Sequence, residues 1–153
     1  MATVFDVAKY ILELQGEITA MKLQKLVYYS QAWNLVWNEE QLFSERIEAW
    51  ANGAVVPDLY HEHKGMFKVS AETFNRGDSS QLSESEKETI RKVVEVYGKY
   101  SAQQLSDFNH QEDPWKDARA GTPPLERSDK EITIESIYEY HLGVWNAIEE
   151  NED

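Results

Sequence analysis

The segment from 20 to 38 constrains the fold more than any other part of the sequence, because a helix there is apolar around nearly all of its circumference. Its apolar residues are Met21, Leu23, Leu26, Val27, Tyr28, Tyr29, Ala32, Trp33, Leu35, Val36 and Trp37. Only a narrow polar stripe remains, through Gln24, Gln31 and Asn38. Such a helix is buried on most of its faces, and this one is too short and too polar at its start to span a membrane. We therefore predict a buried central helix at about 20–38, capped by Thr19.

A small β-hairpin is predicted directly after this helix, near residues 42–56. Apolar and polar residues alternate there, as in a half-buried strand. The dipeptide Asn52-Gly53 is typical of tight turns, because both residue types tolerate positive φ. Proline suits the first turn of a helix, so Pro57 predicts a short helix through about residue 64.

The rest of the chain predicts further helices around the central one. A first helix over residues 4–14 is ended by Gly16. Capping residues or prolines mark later helix starts at Ser83, Ser101, Pro114 and Thr133. The predicted fold class is therefore mainly α (α+β), with one compact helical domain over residues 1–153. The acidic tail 149–153 should fray, since negative charge is unfavourable at a helix C-terminus.

The charge balance excludes several classes of partner. The formal net charge is −13, from 28 acidic and 15 basic residues, whereas nucleic-acid binding needs clustered Lys and Arg. An anionic membrane surface would repel the chain for the same reason. The charge would steer a basic protein partner toward the chain, or it could serve solubility alone. The sequence has no cysteine and its start lacks the pattern of a signal peptide, so we expect a cytoplasmic protein.

The search for reaction chemistry gives no catalytic constellation and no cofactor motif, and we expect no enzyme activity. A nucleophile elbow, a phosphate-binding loop and a zinc-protease motif are all missing from the sequence. His61 and His63 could bind a metal only on a strand, because residues two apart on a helix point about 200° apart. On the predicted helix they are free polar side chains, so no metal site is expected. His141 lies on an apolar face and is predicted to be a hydrogen-bonded core histidine.

A partner-binding surface is predicted around the hairpin. Trp50 is out of phase with its apolar neighbours, so it faces the other side of the hairpin. It is covered by the following helix or exposed as an anchor for a partner, and the pattern leaves both open. The predicted partner-binding residues are Gln24, Gln31, Trp50, Asn52, Gly53, Tyr60 and His61.

Several motifs carry a resemblance to a known family. They are MKLQKLVYYSQAW at 21–33, IEAWANGAVVP at 47–57, PWKDAR at 114–119 and ITIESIYEY at 132–140. Together they resemble the SocA-like Panacea antitoxin domain, which is also described as a GepA-type, phage-associated protein. The resemblance covers about residues 3–141.

The resemblance implies an antitoxin that binds and neutralises a cognate toxin of a bacterial or prophage toxin–antitoxin system. An alternative from the same family is an adaptor that delivers the toxin to a Clp-type protease. A metal-dependent enzyme that uses residues 60–63 is a third interpretation. A mimic of DNA is a fourth, although acidic residues are too intermixed with Lys and Arg to imitate a phosphate ladder. The oligomeric state is left open.

Overall fold

The computed structural model describes residues 1–151. Within that range the α-helices are α1 (Val4–Gln15), α2 (Ala20–Asn38), α3 (Pro57–His63), α4 (Glu84–Tyr97), α5 (Ala102–Gln111), α6 (Asp113–Ala118) and α7 (Ile134–Asn151). The strands are β1 (Ile18–Thr19), β2 (Glu48–Trp50), β3 (Gly53–Val55) and β4 (Lys68–Val69), with short 3-10 turns at Ala71–Thr73 and Ser79–Gln81. The mainly α fold with a small β component is thereby confirmed.

Helix α2 forms the centre of the fold, as predicted. It packs against α1, α4, α5, α7 and β3, and the Thr19 side chain caps it by accepting from the Lys22 amide at 3.1 Å. The predicted polar stripe is itself largely buried, with Gln24 2% and Gln31 0% exposed. Burial of an amide side chain requires hydrogen-bond partners, and other parts of the chain supply them.

Gln31 fastens the chain after α2 onto the helix. Its Nε2 donates to the Phe43 carbonyl at 2.8 Å, and its Oε1 accepts from the Leu42 amide at 2.7 Å. Both ends of the side chain are therefore paired with backbone. Residues 42–47 follow an irregular course before β2, so the strands are shorter than the predicted 42–56.

The predicted hairpin is present, with its turn one residue earlier than expected. Register pairs Trp50 with Gly53 and Glu48 with Val55, so Ala51 and Asn52 form the loop. Gly53 instead begins β3, at φ +119°. A Cβ there would lie 2.7 Å from Asn109 Oδ1 and 2.8 Å from Lys25 Cε. The positive φ and the close packing against those side chains therefore both require the glycine.

Two further observations concern the ends of the fold. Strands β1 and β4 pair antiparallel, with Ile18 opposite Val69, and two-residue strands leave no periodicity from which to predict them. Helix α7 continues to Asn151, while the last two residues of the predicted frayed tail, 152–153, lie outside the described residues. Every helix within 1–151 is too short or too polar to cross a bilayer.

Candidate functional site

An open groove of about 1100 Å³ lies beside the start of α2. The hairpin β2–β3 and helix α3 form one side, and residues 65–67 and the start of α5 close the others. The loop 127–129 reaches its edge. The groove therefore brings together segments that are far apart in the sequence.

The rim of the groove is apolar and exposed. Phe67 is 75% exposed, Met66 50% and Met21 38%. Trp50 and Tyr60 are half-buried and meet edge-on, with ring centroids 4.9 Å apart. Clustered exposed apolar side chains at a concave surface are typical of interaction sites.

Part of the floor is polar but fully paired. Gln24 Oε1 accepts from the Val56 amide at 2.9 Å, and Gln24 Nε2 donates to the Val56 carbonyl at 3.3 Å. The same Nε2 lies 3.0 Å from His63 Nε2. Burial lowers the pKa of His63, so a neutral ring accepts the proton of the Gln24 amide.

Lys25 is the unusual residue of the floor. It lines the groove although it is only 1% exposed, and its Nζ donates to the Ala54 carbonyl at 3.0 Å. Burial lowers the pKa of Lys25 to about 7, because a low-dielectric surrounding disfavours the ammonium. Its signal in the sequence is a lysine that falls off the polar stripe, between Gln24 and Leu26, in a segment first interpreted as the polar start of the helix.

A buried hydrogen-bond network continues behind the floor. The Ala54 amide donates to Asn109 Oδ1, Asn109 Nδ2 donates to Tyr29 Oη, and Tyr29 donates to Glu112 Oε2, each at 2.9 Å. Burial raises the pKa of Glu112 to about 7, while the hydrogen bond from Tyr29 opposes the shift. The network fixes the backbone of β3 against α2 and α5, and with it the carbonyl that Lys25 contacts.

Comparison with known proteins identifies the family of the chain. A family model described as "Antitoxin SocA-like, Panacea domain" matches residues 23–116, more than half of the chain. The chain belongs to this family. No curated protein and no solved structure matches it.

The matched segment of this Panacea domain contains most of the groove. It runs from the floor of α2 through the hairpin, α3 and the rim to the start of α5. Residues 19–21 and 127–129, which also line the groove, fall outside the match. The antitoxin-like family and its mainly α architecture thus agree with the interpretation of the sequence motifs.

The structure brings four of the predicted partner-binding residues to the groove. Gln24, Trp50, Asn52 and Tyr60 all line it, Gln24 from the buried floor. Trp50 is partly covered by Tyr60 and partly open to the groove, so its ring is neither fully covered nor fully exposed. Whether these residues bind a partner stays a prediction.

The other three predicted residues lie apart from the groove surface. Gln31 is 0% exposed and engaged with residues 42–43, and Gly53 is buried beneath Lys25. Neither residue lines the groove, so neither is placed to contact a partner seated there. His61 is exposed on α3 but does not line the groove.

His63 and His141 occupy structural positions. His63 is buried on Gln24, whereas His61 is exposed, so the two rings do not converge. Among residues 1–151 no group of three His, Asp or Glu side chains is placed to hold a metal ion. His141 is 2% exposed and its Nδ1 bonds the Ile137 carbonyl at 2.8 Å, which confirms a hydrogen-bonded core histidine.

Proposed function

We propose that this chain is an antitoxin-type module that neutralises a toxin by binding it directly through the groove. The observation that carries the proposal is the exposed apolar rim of Met21, Met66 and Phe67 around the groove. The module would act by occupying its partner's surface, without catalysis and as a single domain over 1–153. The absence of cysteine fits a reducing compartment, so we place this action in the cytoplasm.

The partner that fits this surface is a protein with a basic overall charge and a projecting apolar segment. The net charge of −13 steers basic proteins toward the chain. At the groove, Trp50 and Tyr60 supply large rings of the kind that dominate binding energy. Phe67 would lose its exposure on binding, which adds apolar burial to the contact.

The test is co-expression of the chain with the product of the adjacent gene. We expect growth to recover from the toxicity of that product, and a complex to elute as one peak in size-exclusion chromatography. Phe67→Ser should weaken the complex roughly tenfold, because it removes an exposed ring from the rim. Val96→Ser is the matched control, since Val96 is 53% exposed but lies on α4 outside the groove.

Three outcomes would contradict the proposal or redirect it. Failure to form a complex and to restore growth would refute the neutralising function. Equal losses for Phe67→Ser and Val96→Ser would refute the groove as the binding surface. If the toxin is degraded faster in the presence of the chain and a Clp-type protease, the chain acts by delivering the toxin to the protease and not by blocking it.

A further inference from the structure

Lys25 differs from the other buried polar side chains near the groove in how its donors are used. An ammonium group carries three N–H donors, and among residues 1–151 the hydrogen bond to the Ala54 carbonyl is the one that Lys25 makes. No carboxylate in the same part of the chain lies within 4.0 Å of its Nζ. A buried cation without a counter-ion is costly, so the fold alone does not account for a lysine here.

The position of the side chain points toward a ligand. Lys25 is only 1% exposed, yet it forms part of the floor of an open groove. Gly53 leaves space for its stem, because any Cβ at that residue would approach Lys25 Cε to 2.8 Å. The chain therefore accommodates the lysine with a glycine at positive φ, a conformation that residues with a Cβ rarely adopt.

We propose that Lys25 binds a carboxylate on an Asp or Glu side chain of the partner protein, seated in the groove between apolar residues. The inference rests on the proposed function, because it takes the groove as the place where a partner protein sits. A carboxylate would supply the missing counter-charge and accept the free donors in charge-assisted hydrogen bonds. Apolar side chains on either side of it would cover the pair from water, against Phe67 and Met21 and against Trp50 and Tyr60.

The charged groups around Lys25 leave room for this anion. Glu48 on β2 lines the groove but is already engaged by Arg46 at 2.8 Å and by the Trp50 indole at 2.9 Å. From α3, His63 faces Lys25 as a neutral ring held by Gln24. Two more charged residues, Arg127 and Asp129, reach the groove edge from the loop before α7.

Charges behind the floor are separated from Lys25 by the hydrogen-bond network. Glu112 is the carboxyl group of that network, and Tyr29 and Asn109 stand between it and the backbone of β3. It therefore pairs with Tyr29 and not with Lys25. A counter-ion for Lys25 can therefore approach only from the side of the groove.

Binding of a carboxylate should be coupled to protonation. Since burial places the pKa of Lys25 near 7 in the free chain, a bound carboxylate raises that pKa by favouring the ammonium. The stabilisation is complete below the free pKa and is lost as pH rises through the bound pKa. Affinity should therefore fall between pH 6 and pH 9.

The experiment uses three synthetic peptides titrated into the full chain and followed by NMR. Acetyl-Leu-Glu-Leu-amide is the probe, acetyl-Leu-Gln-Leu-amide lacks the charge, and acetyl-Leu-Leu-Leu with a free C-terminus carries a terminal carboxylate instead. At pH 6 we expect the Glu peptide to bind roughly tenfold more tightly than either of the others, because it alone pairs a side-chain carboxylate with the ammonium. We expect this advantage to disappear at pH 9.

Two variants distinguish binding through the ion pair from nonspecific apolar binding in the groove. Lys25→Met should abolish the preference for Glu over Gln while leaving the indole signal of Trp50 in its folded position. Lys22→Met is the matched control: Lys22 is on the same helix and donates to the Gly98 carbonyl, outside the groove. It should keep the full preference.

The outcomes each decide the matter. Equal affinity for the Glu and Gln peptides, no binding by the Glu peptide, or a preference that survives Lys25→Met would overturn the inference. Tightest binding of the free C-terminus would also overturn it, in favour of a terminal carboxylate. Because these titrations do not involve the toxin, they can fail while complex formation and growth rescue succeed, and the two proposals are judged separately.

Discussion

The two ends of α2 use buried polar side chains in opposite ways. Toward the C-terminal end, Gln31 is 0% exposed and pairs both of its polar atoms with the backbone of residues 42–43. Near the N-terminal end, Lys25 is 1% exposed and makes a single hydrogen bond beside an open groove. Equal burial thus accompanies complete pairing in one place and incomplete pairing in the other. The comparison teaches that the burial of a polar side chain does not by itself tell how completely its polar atoms are paired.

The largest effect is expected when Gln31 is replaced by methionine, a residue of similar volume that cannot make its hydrogen bonds. Gln31→Met leaves the Leu42 amide and the Phe43 carbonyl buried without partners. Each such group costs about 1–3 kcal/mol, so the free energy of unfolding should fall by about 3 kcal/mol in urea titration. Gln111→Met, at an exposed position, should change it by less than about 0.5 kcal/mol. Equal free energies of unfolding for Gln31→Met and wild type would show that the paired side chain of Gln31 does not stabilise the fold.

Gly53 tests whether the space beneath Lys25 is needed. Gly53→Ala places a Cβ within 2.8 Å of both Asn109 and Lys25 at φ +119°. We expect a loss of about 2 kcal/mol in the free energy of unfolding, from strain and displaced neighbours.

The control for Gly53 is another glycine with open surroundings. A Cβ at Gly143 on α7 meets nothing within 4 Å. Gly143→Ala should therefore raise stability by up to about 1 kcal/mol, through helix propensity. A Gly53→Ala variant that is as stable as Gly143→Ala would show that the Lys25 site is loosely packed.

The effect of Lys25→Met on stability should depend on pH. The pKa of Lys25 is lowered to about 7 in the folded chain, against about 10.4 for an unfolded lysine. Between these pH values the unfolded chain binds one proton more than the folded chain. The free energy of unfolding of the wild type therefore rises with increasing pH, by up to about 1.4 kcal/mol per pH unit from this group. At pH 6 the methionine variant should be at least as stable as wild type, because it removes a buried charge.

Urea titrations from pH 6 to pH 9 check that sign. The stability advantage of Lys25→Met over wild type should shrink as pH rises. Lys99→Met, which changes an exposed lysine on the loop after α4, should follow the wild-type curve throughout. A pH-independent difference between Lys25→Met and wild type would show that Lys25 does not titrate in this range.

Parts of the candidate site were predictable because they follow a local pattern. Trp50 faces away from Ala49 by strand alternation, and Tyr60 follows from the helix that Pro57 starts. The sequence could not separate Gln24 from Gln31, since both lie on the same polar stripe of one helix. Their different surroundings depend on whether the hairpin or residues 42–43 pack against each of them.

The sequence by itself determined the central helix, its capping at Thr19, the capping boxes at Ser83 and Ser101, and the family. Those features depend on residues within a few positions of one another, or on motifs read in order. Only the tertiary structure decided which polar residues were paired. The partner of Lys25 lies 29 positions along the chain, at Ala54. Hydrogen bonds and desolvation act over a few ångströms in space, so they could be assessed only after folding had brought the groove together.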